Sequence, residues 1–189
     1  MTFEQLPADL PVPEDDGGAD HLTGLPMPSL ALPATTGGTV DLTEVPSPRV
    51  VVYAYPKTGR PGVAMPGGWD LIPGARGCTP ESCDFRDHHG ELAALGAGVF
   101  GLSSQSTDYQ AEAADRLHLP FALLSDERCE LADALRLPTF TVEGERLYRR
   151  LTLVVRDGRI EHVFYPVFPP DEHAAQVLTW LRAHPADRS

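Results

Sequence analysis

Two cysteines five residues apart are the side chains of this 189-residue chain best suited to do chemistry. They lie in the run Gly74-Ala75-Arg76-Gly77-Cys78-Thr79-Pro80-Glu81-Ser82-Cys83. A cysteine attacks as its thiolate, so the surroundings that favour the charged form decide which one reacts. Arg49–Tyr55 (RVVVYAY) leads through a loop into a helix that the sequence predicts to begin near Cys78. A sulfur at a helix start meets unpaired N–H groups and the positive end of the helix dipole, and both stabilise a thiolate. Pro80 fits a first turn, where a missing N–H costs nothing. Cys78 is therefore the expected nucleophile. In one intact helix, positions 78 and 83 differ by a rise of ~7.5 Å and a rotation of ~140°, which puts their Cα atoms about 8.6 Å apart. A disulfide tolerates at most about 7 Å. Two readings stay open from spacing alone: unrelated thiols with Cys83 facing the core, or a pair that joins only when the first turn unwinds.

The elements that must position these thiols alternate along the chain. Ser29–Leu32 and Thr39–Leu42 flank Gly37-Gly38 and predict a hairpin near the N-terminus. Arg49–Tyr55 is β-branched and aromatic with little polarity, the pattern of a buried central strand. A helix is predicted over Thr79 to Leu95, a strand over Gly98–Ser103, a helix over Asp108 to Leu117, a strand over Phe121–Leu124 and a short helix over Glu130–Leu135. Leu151–Val155 and Ile160–Phe164 flank Asp157-Gly158, a strong hairpin signal. Ala174, Val177, Leu178 and Leu181 share one face of a last helix over Asp171 to Ala183. Helices interleaved with strands predict an α/β fold, a mixed sheet with helices on both faces. Thr58–Pro73 carries four glycines and three prolines, which forbid a long element, and also Val63, Met65, Trp69, Leu71 and Ile72, which argue for a loop packed on the surface. It either covers the core or walls a substrate pocket.

Composition narrows the function. Fifteen Lys+Arg against 27 Asp+Glu give a net charge of −12, the opposite of the basic footprint that nucleic acid or an anionic membrane requires. No apolar stretch is long enough to span a bilayer. Residues 1–24, with six acidic residues, Pro7, Pro11, Pro13 and Gly17-Gly18, resemble no signal peptide and are expected to form a mobile acidic arm ahead of one domain over residues 25–189. The expected location is cytoplasmic. An odd number of cysteines excludes a complete disulfide framework, and thiols in a reducing compartment are more often catalytic or metal-binding than structural.

The strings VVVYAYPK (50–57), GCTPESCDFRD (77–87), LLSDE (123–127), RLTLVVRDGRIEHVF (150–164) and VLTWLRAH (177–184) resemble, in this order, the peroxiredoxin family, and within it the Q-type, bacterioferritin-comigratory branch. The resemblance runs from about Pro26 to His184. It implies a thioredoxin-like fold and a peroxidase that reduces hydrogen peroxide and small organic hydroperoxides without a metal or organic cofactor. It further implies that Cys78 is the peroxidatic cysteine and Cys83 the resolving one, and that thioredoxin or a similar dithiol recycles them. Arg150 matches the active-site arginine, and Pro56 the proline that closes the strand and shields the thiolate. A permanent cation near Cys78 lowers the pKa of its thiol.

The chain departs from the family pattern P-x-x-x-T-x-x-C in two ways. Ala75 stands where the pattern has Thr, and the insertion at Thr58–Pro73 separates Pro56 from Cys78. Thr58, Thr79 or a hydroxyl from elsewhere in the chain would have to replace the missing one, and the sequence assigns none of them. Cys129, at the start of a short helix, is a rival resolving thiol, although a helix-start residue without redox role is the plainer reading. His88 and His89 read as solvent-facing helix residues, since no spaced partner pair completes a tetrahedral metal site. Arg149 reads as a solvated strand-edge charge. Two other functions share this pattern. A thiol–disulfide oxidoreductase would normally carry Cys-x-x-Cys, which is absent. A non-catalytic peroxide sensor would form the disulfide without sustained turnover.

Overall fold

All six residues of Arg49–Ala54 are buried, and their alternation explains the architecture. In the computed structural model, which describes residues 5–186, Val51 and Tyr53 pack into one apolar cluster and Val50, Val52 and Ala54 into another. Successive side chains of a strand point to opposite faces, so a strand apolar throughout must lie between two covered faces. The elements in chain order are β1 (Leu32–Pro33), β2 (Thr39–Val40), β3 (Arg49–Ala54), α1 (Cys78–Asp87), α2 (His89–Ala94), β4 (Ala97–Ser103), α3 (Thr107–Arg116), β5 (Leu123–Ser125), α4 (Glu130–Leu135), β6 (Thr139–Val142), β7 (Glu145–Tyr148), β8 (Leu151–Arg156), β9 (Arg159–Phe164) and α5 (His173–Ala183). The central sheet has the order β5-β4-β3-β8-β9. β3, β4 and β5 run parallel, and β8 and β9 are antiparallel additions. Cys78, Phe85, Leu92, Ala174, Val177 and Leu178 place α1, α2 and α5 on one face. Leu131, Ala132 and Leu135 place α4 on the other. The α/β mixed sheet with helices on both faces is thus the one expected.

Three local expectations change. The helix predicted over Thr79 to Leu95 is two helices, α1 and α2, with a break at His88 (φ −101°, ψ 5°). The break falls two residues before Gly90, a poor helix former. Residues 139–148, given no element by the sequence pattern, form the β6–β7 hairpin. This hairpin receives the Thr58–Pro73 insertion: Trp69, Ala75 and Leu147 form a small buried cluster with Met65, Ile72, Phe140 and Val142 around it. The N-terminal hairpin is shorter than expected, with Leu32 opposite Val40.

Residues 5–24 contain no regular strand or helix, as their prolines and glycines require, yet they contact the body of the protein. Ala19 and Leu22 are buried in the main core. The His21 ring lies 2.8 Å from the Leu135 carbonyl oxygen, and the Tyr165 hydroxyl donates to the Asp16 carboxylate at 2.8 Å. Farther upstream, Pro13 lies beside Gly74, and Leu6 beside Gly77. Among the described residues no helix is long and apolar enough to cross a membrane.

Candidate active site

The helix carrying both sequence-selected cysteines begins where the backbone makes a turn only glycine makes easily. Gly77 precedes α1 with φ 112°, in the range that L side chains avoid. A Cβ at this position would run into the Pro170 ring and Leu6. Cys78 is the first residue of α1 and is 3% exposed. Cys83 is half-buried on the same helix, which is unbroken between them, and no disulfide joins the two.

Arg150 enters this site from the start of β8. It is 3% exposed, and each nitrogen is engaged. Nη2 donates to Cys78 Sγ at 3.2 Å and to the Ala75 carbonyl at 3.1 Å. Nε reaches the Gly74 carbonyl at 3.3 Å. Nη1 forms a short ion pair with Glu81, which is fully buried one turn after Cys78. The loop before α1 therefore turns its carbonyls toward the guanidinium and fixes its plane. The backbone N–H of Lys57, the residue after Pro56, is directed at the Cys78 sulfur. Pro56 itself is buried at the end of β3 and accepts from Ser103 Oγ through its carbonyl at 3.2 Å.

These contacts act on Cys78 in opposite directions. Burial pushes the thiol up from its ordinary value, Arg150 pulls it down, and the Glu81 carboxylate, where charged, pushes it up. The effect expected of Arg150 is present, but the net direction is upward because the sulfur has lost its water. Burial also raises Glu81, against the pull of Arg150, to about 7. Arg150 remains a cation: the sulfur and the carboxylate together outweigh its desolvation. One buried cation thus faces two acids.

The two candidates for the missing hydroxyl separate. The Thr58 N–H and hydroxyl both lie within reach of Gln105 Oε1, at 3.0 and 3.1 Å, so that side chain is committed elsewhere. Thr79, next to Cys78, has a buried hydroxyl without a hydrogen-bond partner among the described residues. Cys129 is buried in the core cluster on the face of the sheet opposite Cys78. It precedes α4 with φ 55°, and burial raises its thiol too. His88 lies 3.0 Å from the Asp84 carboxylate, and the His89 ring lies 5.7 Å from that of Phe121. Among the described residues no three potential metal ligands converge. Arg149 places its guanidinium over the Phe140 ring at 5.7 Å. Beside Arg150 opens a cleft of about 290 Å³ whose walls include Val12, Pro13, Pro73, Gly74 and Tyr165. The end of the insertion and the N-terminal segment both contribute to it. Sequence reasoning missed Glu81 and the Lys57 N–H. An acidic residue in a first helical turn is common at exposed helix starts, so its type gave no sign that it would be buried against Arg150.

Residues 22–178 match the Redoxin family model. The chain is 33% identical over 166 residues to Peroxiredoxin Bcp of Escherichia coli strain K12, an alignment covering 83% of this chain and 93% of that protein. It is 32% identical over 163 residues to Peroxiredoxin Bcp of Bacillus subtilis strain 168, covering 84% and 94%. Among solved structures, the crystal structure of Peroxidoxin BcpB from Mycobacterium tuberculosis superposes with a TM-score of 0.71 at 29% identity, covering 89% of this chain and all of that one.

Proposed function

The chain belongs to the redoxin family, as a peroxiredoxin of the Bcp and Q kind with a thioredoxin-like fold, and from that premise we propose the residues and the cycle by which it works as a thiol-dependent peroxidase. Cys78 is the peroxidatic thiol. Its thiolate attacks a hydroperoxide oxygen: an S–O bond forms, the O–O bond breaks, and the leaving oxygen takes a proton and departs as water or alcohol. Cys78 becomes a sulfenic acid. The Arg150 guanidinium and the N–H groups at the start of α1 face the charge that develops on the oxygens. Cys83 then condenses with the sulfenic acid: an S–S bond forms, and the oxygen leaves as water with the Cys83 thiol proton. An external dithiol of the thioredoxin type reduces this disulfide by exchange and is itself oxidised. The substrates are hydrogen peroxide and small organic hydroperoxides. The setting is a reducing compartment, the cytoplasm, where free thiols persist.

The observation that carries this reading is the approach of Arg150 Nη2 to a buried helix-start sulfur at 3.2 Å. The same guanidinium binds Glu81. One cation stabilises one negative charge well in a buried site and two poorly. The reactive form therefore has Cys78 ionised and Glu81 protonated; burial raises Glu81 to about 7 and so favours its protonation, while the burial of Cys78 works against the thiolate.

The test is a mass measurement after one equivalent of peroxide, with peptide mapping. A loss of two hydrogens shared by the peptides of Cys78 and Cys83 is expected. Cys83→Ser should consume one equivalent and then stop cycling with a dithiol reductant. Sustained turnover by Cys83→Ser, or a disulfide between Cys78 and Cys129, would overturn the assignment.

A further inference from the structure

α1 carries both thiols, so the ease with which it unwinds governs whether Cys83 can reach an oxidised Cys78. An intact helix holds their Cα atoms about 8.6 Å apart, and a disulfide tolerates about 7 Å. The residue after Cys83 ties the helix down. Asp84 Oδ2 accepts from the Ala174 backbone N–H at 2.7 Å, in the first turn of α5. The Ala175 N–H favours the charge on this carboxylate as well, and Oδ1 lies 3.0 Å from His88 Nδ1. α5 has no acidic residue in its first turn and no side-chain cap of its own. Asp84 supplies both from another helix, as an acceptor for orphan N–H groups and as a negative charge at the positive end of the dipole. The next residue, Phe85, is fully buried, with its ring edge-on to that of His173 at 5.7 Å.

We propose that Asp84 is a positioning residue that latches α1 to the start of α5 and thereby sets the rate at which Cys83 closes on Cys78. The inference rests on the Cys78–Cys83 assignment above. With Asp84 docked, the slack for closure must come from the four residues between the thiols. Once Asp84 releases, the C-terminal half of α1 loses its tie to α5 and is held by Phe85 and by the Arg86 bond to the Leu117 carbonyl. The latch lies beyond Cys83, and its bonds run to α5 and His88; its charge reaches the site only through Glu81, as the smallest of the influences on that carboxyl, so the first oxidation step depends on it weakly. The oxidised site then has two fates. Condensation with Cys83 gives the disulfide and water. A second hydroperoxide instead forms another S–O bond, breaks its own O–O bond and leaves as alcohol or water, which converts the sulfenic to the sulfinic acid. A latch that keeps α1 wound favours the second fate.

The experiment uses the full chain with Asp84→Asn and Asp84→Ala, followed by rapid mixing and intact-mass analysis. Disulfide formation should be about tenfold faster in Asp84→Ala, the order expected from losing a charge-assisted hydrogen bond, and less accelerated in Asp84→Asn, which keeps an acceptor. The rate constant for the first oxidation should stay within about twofold of the parent, since the reacting groups are untouched. The sulfinic fraction at high hydroperoxide should fall in the same order, and hydrogen exchange at the Ala174 amide should speed up in the same order. Asp84→Asn is near-isosteric and carries the test alone if Asp84→Ala does not fold. An unchanged disulfide rate with an exposed Ala174 amide overturns the latch. So does an amide that stays protected in the variants. A parent that forms no Cys78–Cys83 disulfide overturns the proposed function, and the latch with it.

Discussion

Glu81→Gln tests how one guanidinium serves two acids. Arg150 gives Nη1 to Glu81 and Nη2 to Cys78. Acids bound to neighbouring nitrogens of one guanidinium stand roughly 6 Å apart, and at an effective dielectric of about 20 two negative charges at that distance repel by about 3 kcal/mol, or about two pH units. Glutamine keeps an oxygen for Nη1 and removes the charge. The thiolate titration of Cys78 should therefore move to lower pH by about one to two units, since some of the repulsion is already relieved by protonation of Glu81 near neutrality. The assay is the pH dependence of Cys78 alkylation, in a background of Cys83→Ser and Cys129→Ser so that a single thiol reports. The single-turnover rate with hydrogen peroxide should shift in the same direction. Stability supplies a second readout. Glu81 binds its proton more tightly in the folded state, at about 7 against an ordinary 4.5. Parent stability should therefore fall as pH rises between these values, by roughly 3 kcal/mol in all, and Glu81→Gln should lack that slope. A Cys78 midpoint that stays in place or rises would refute the reasoning. A rise would mean that Glu81 matters only for holding Arg150 in position.

Two further outcomes are expected. Gly77→Ala should lose about 2–3 kcal/mol or more in urea unfolding, because a side chain at φ 112° is strained and would meet Pro170. His173, fully buried with its Nε2 2.7 Å from Thr152 Oγ1, is held neutral by desolvation down to about 4. The stability it contributes is present above pH 6.5 and lost as pH falls toward 4, roughly 3 kcal/mol in all. Urea midpoints measured across that range for His173→Gln should lose this acid-side decline. The comparison belongs in the Glu81→Gln background, because Glu81 changes stability with the opposite sign over part of the same window.

What could be read from the sequence divides by the kind of signal. β3 was legible because a central strand buried on both faces is largely apolar. The Leu151–Phe164 hairpin was legible because Asp157-Gly158 leaves few alternatives: Asp157 and Gly158 both take positive φ. Cys78 was legible as a helix-start residue, and Arg150 through the family resemblance and its cationic type. β6 and β7 were not, because they form a two-stranded sheet of their own. Leu147 faces the insertion and Tyr148 the main core, while the other positions of the two strands are exposed or half-buried, so they carry no strong period-two pattern. Glu81 and Asp84 were not legible either. Their roles depend on Arg150 and Ala174, 69 and 90 residues away, and nothing local distinguishes a carboxylate that will be buried from one that will be solvated.

The two ends of α1 are held by one stretch of chain. Pro170 covers Gly77 at the helix start, and Ala174, four residues later, takes the Asp84 carboxylate beyond Cys83. Between them His173 ties the same turn to Thr152 on β8, two residues after Arg150. The segment from Pro170 to Ala174 therefore touches the thiol helix at both ends and the strand that carries the guanidinium. Helix and strand are far apart in sequence, so no local preference fixes their spacing, and a third element packed against both is the means left to do so. Such a bridge holds Cys78 against Arg150 while α1 is wound. It also means that unwinding α1 to join the thiols must break contacts with this segment as well as those of Ser82 and Phe85 with Tyr53 on β3. The guanidinium, anchored on Gly74, Ala75 and β8, can then stay in place while the cysteines move.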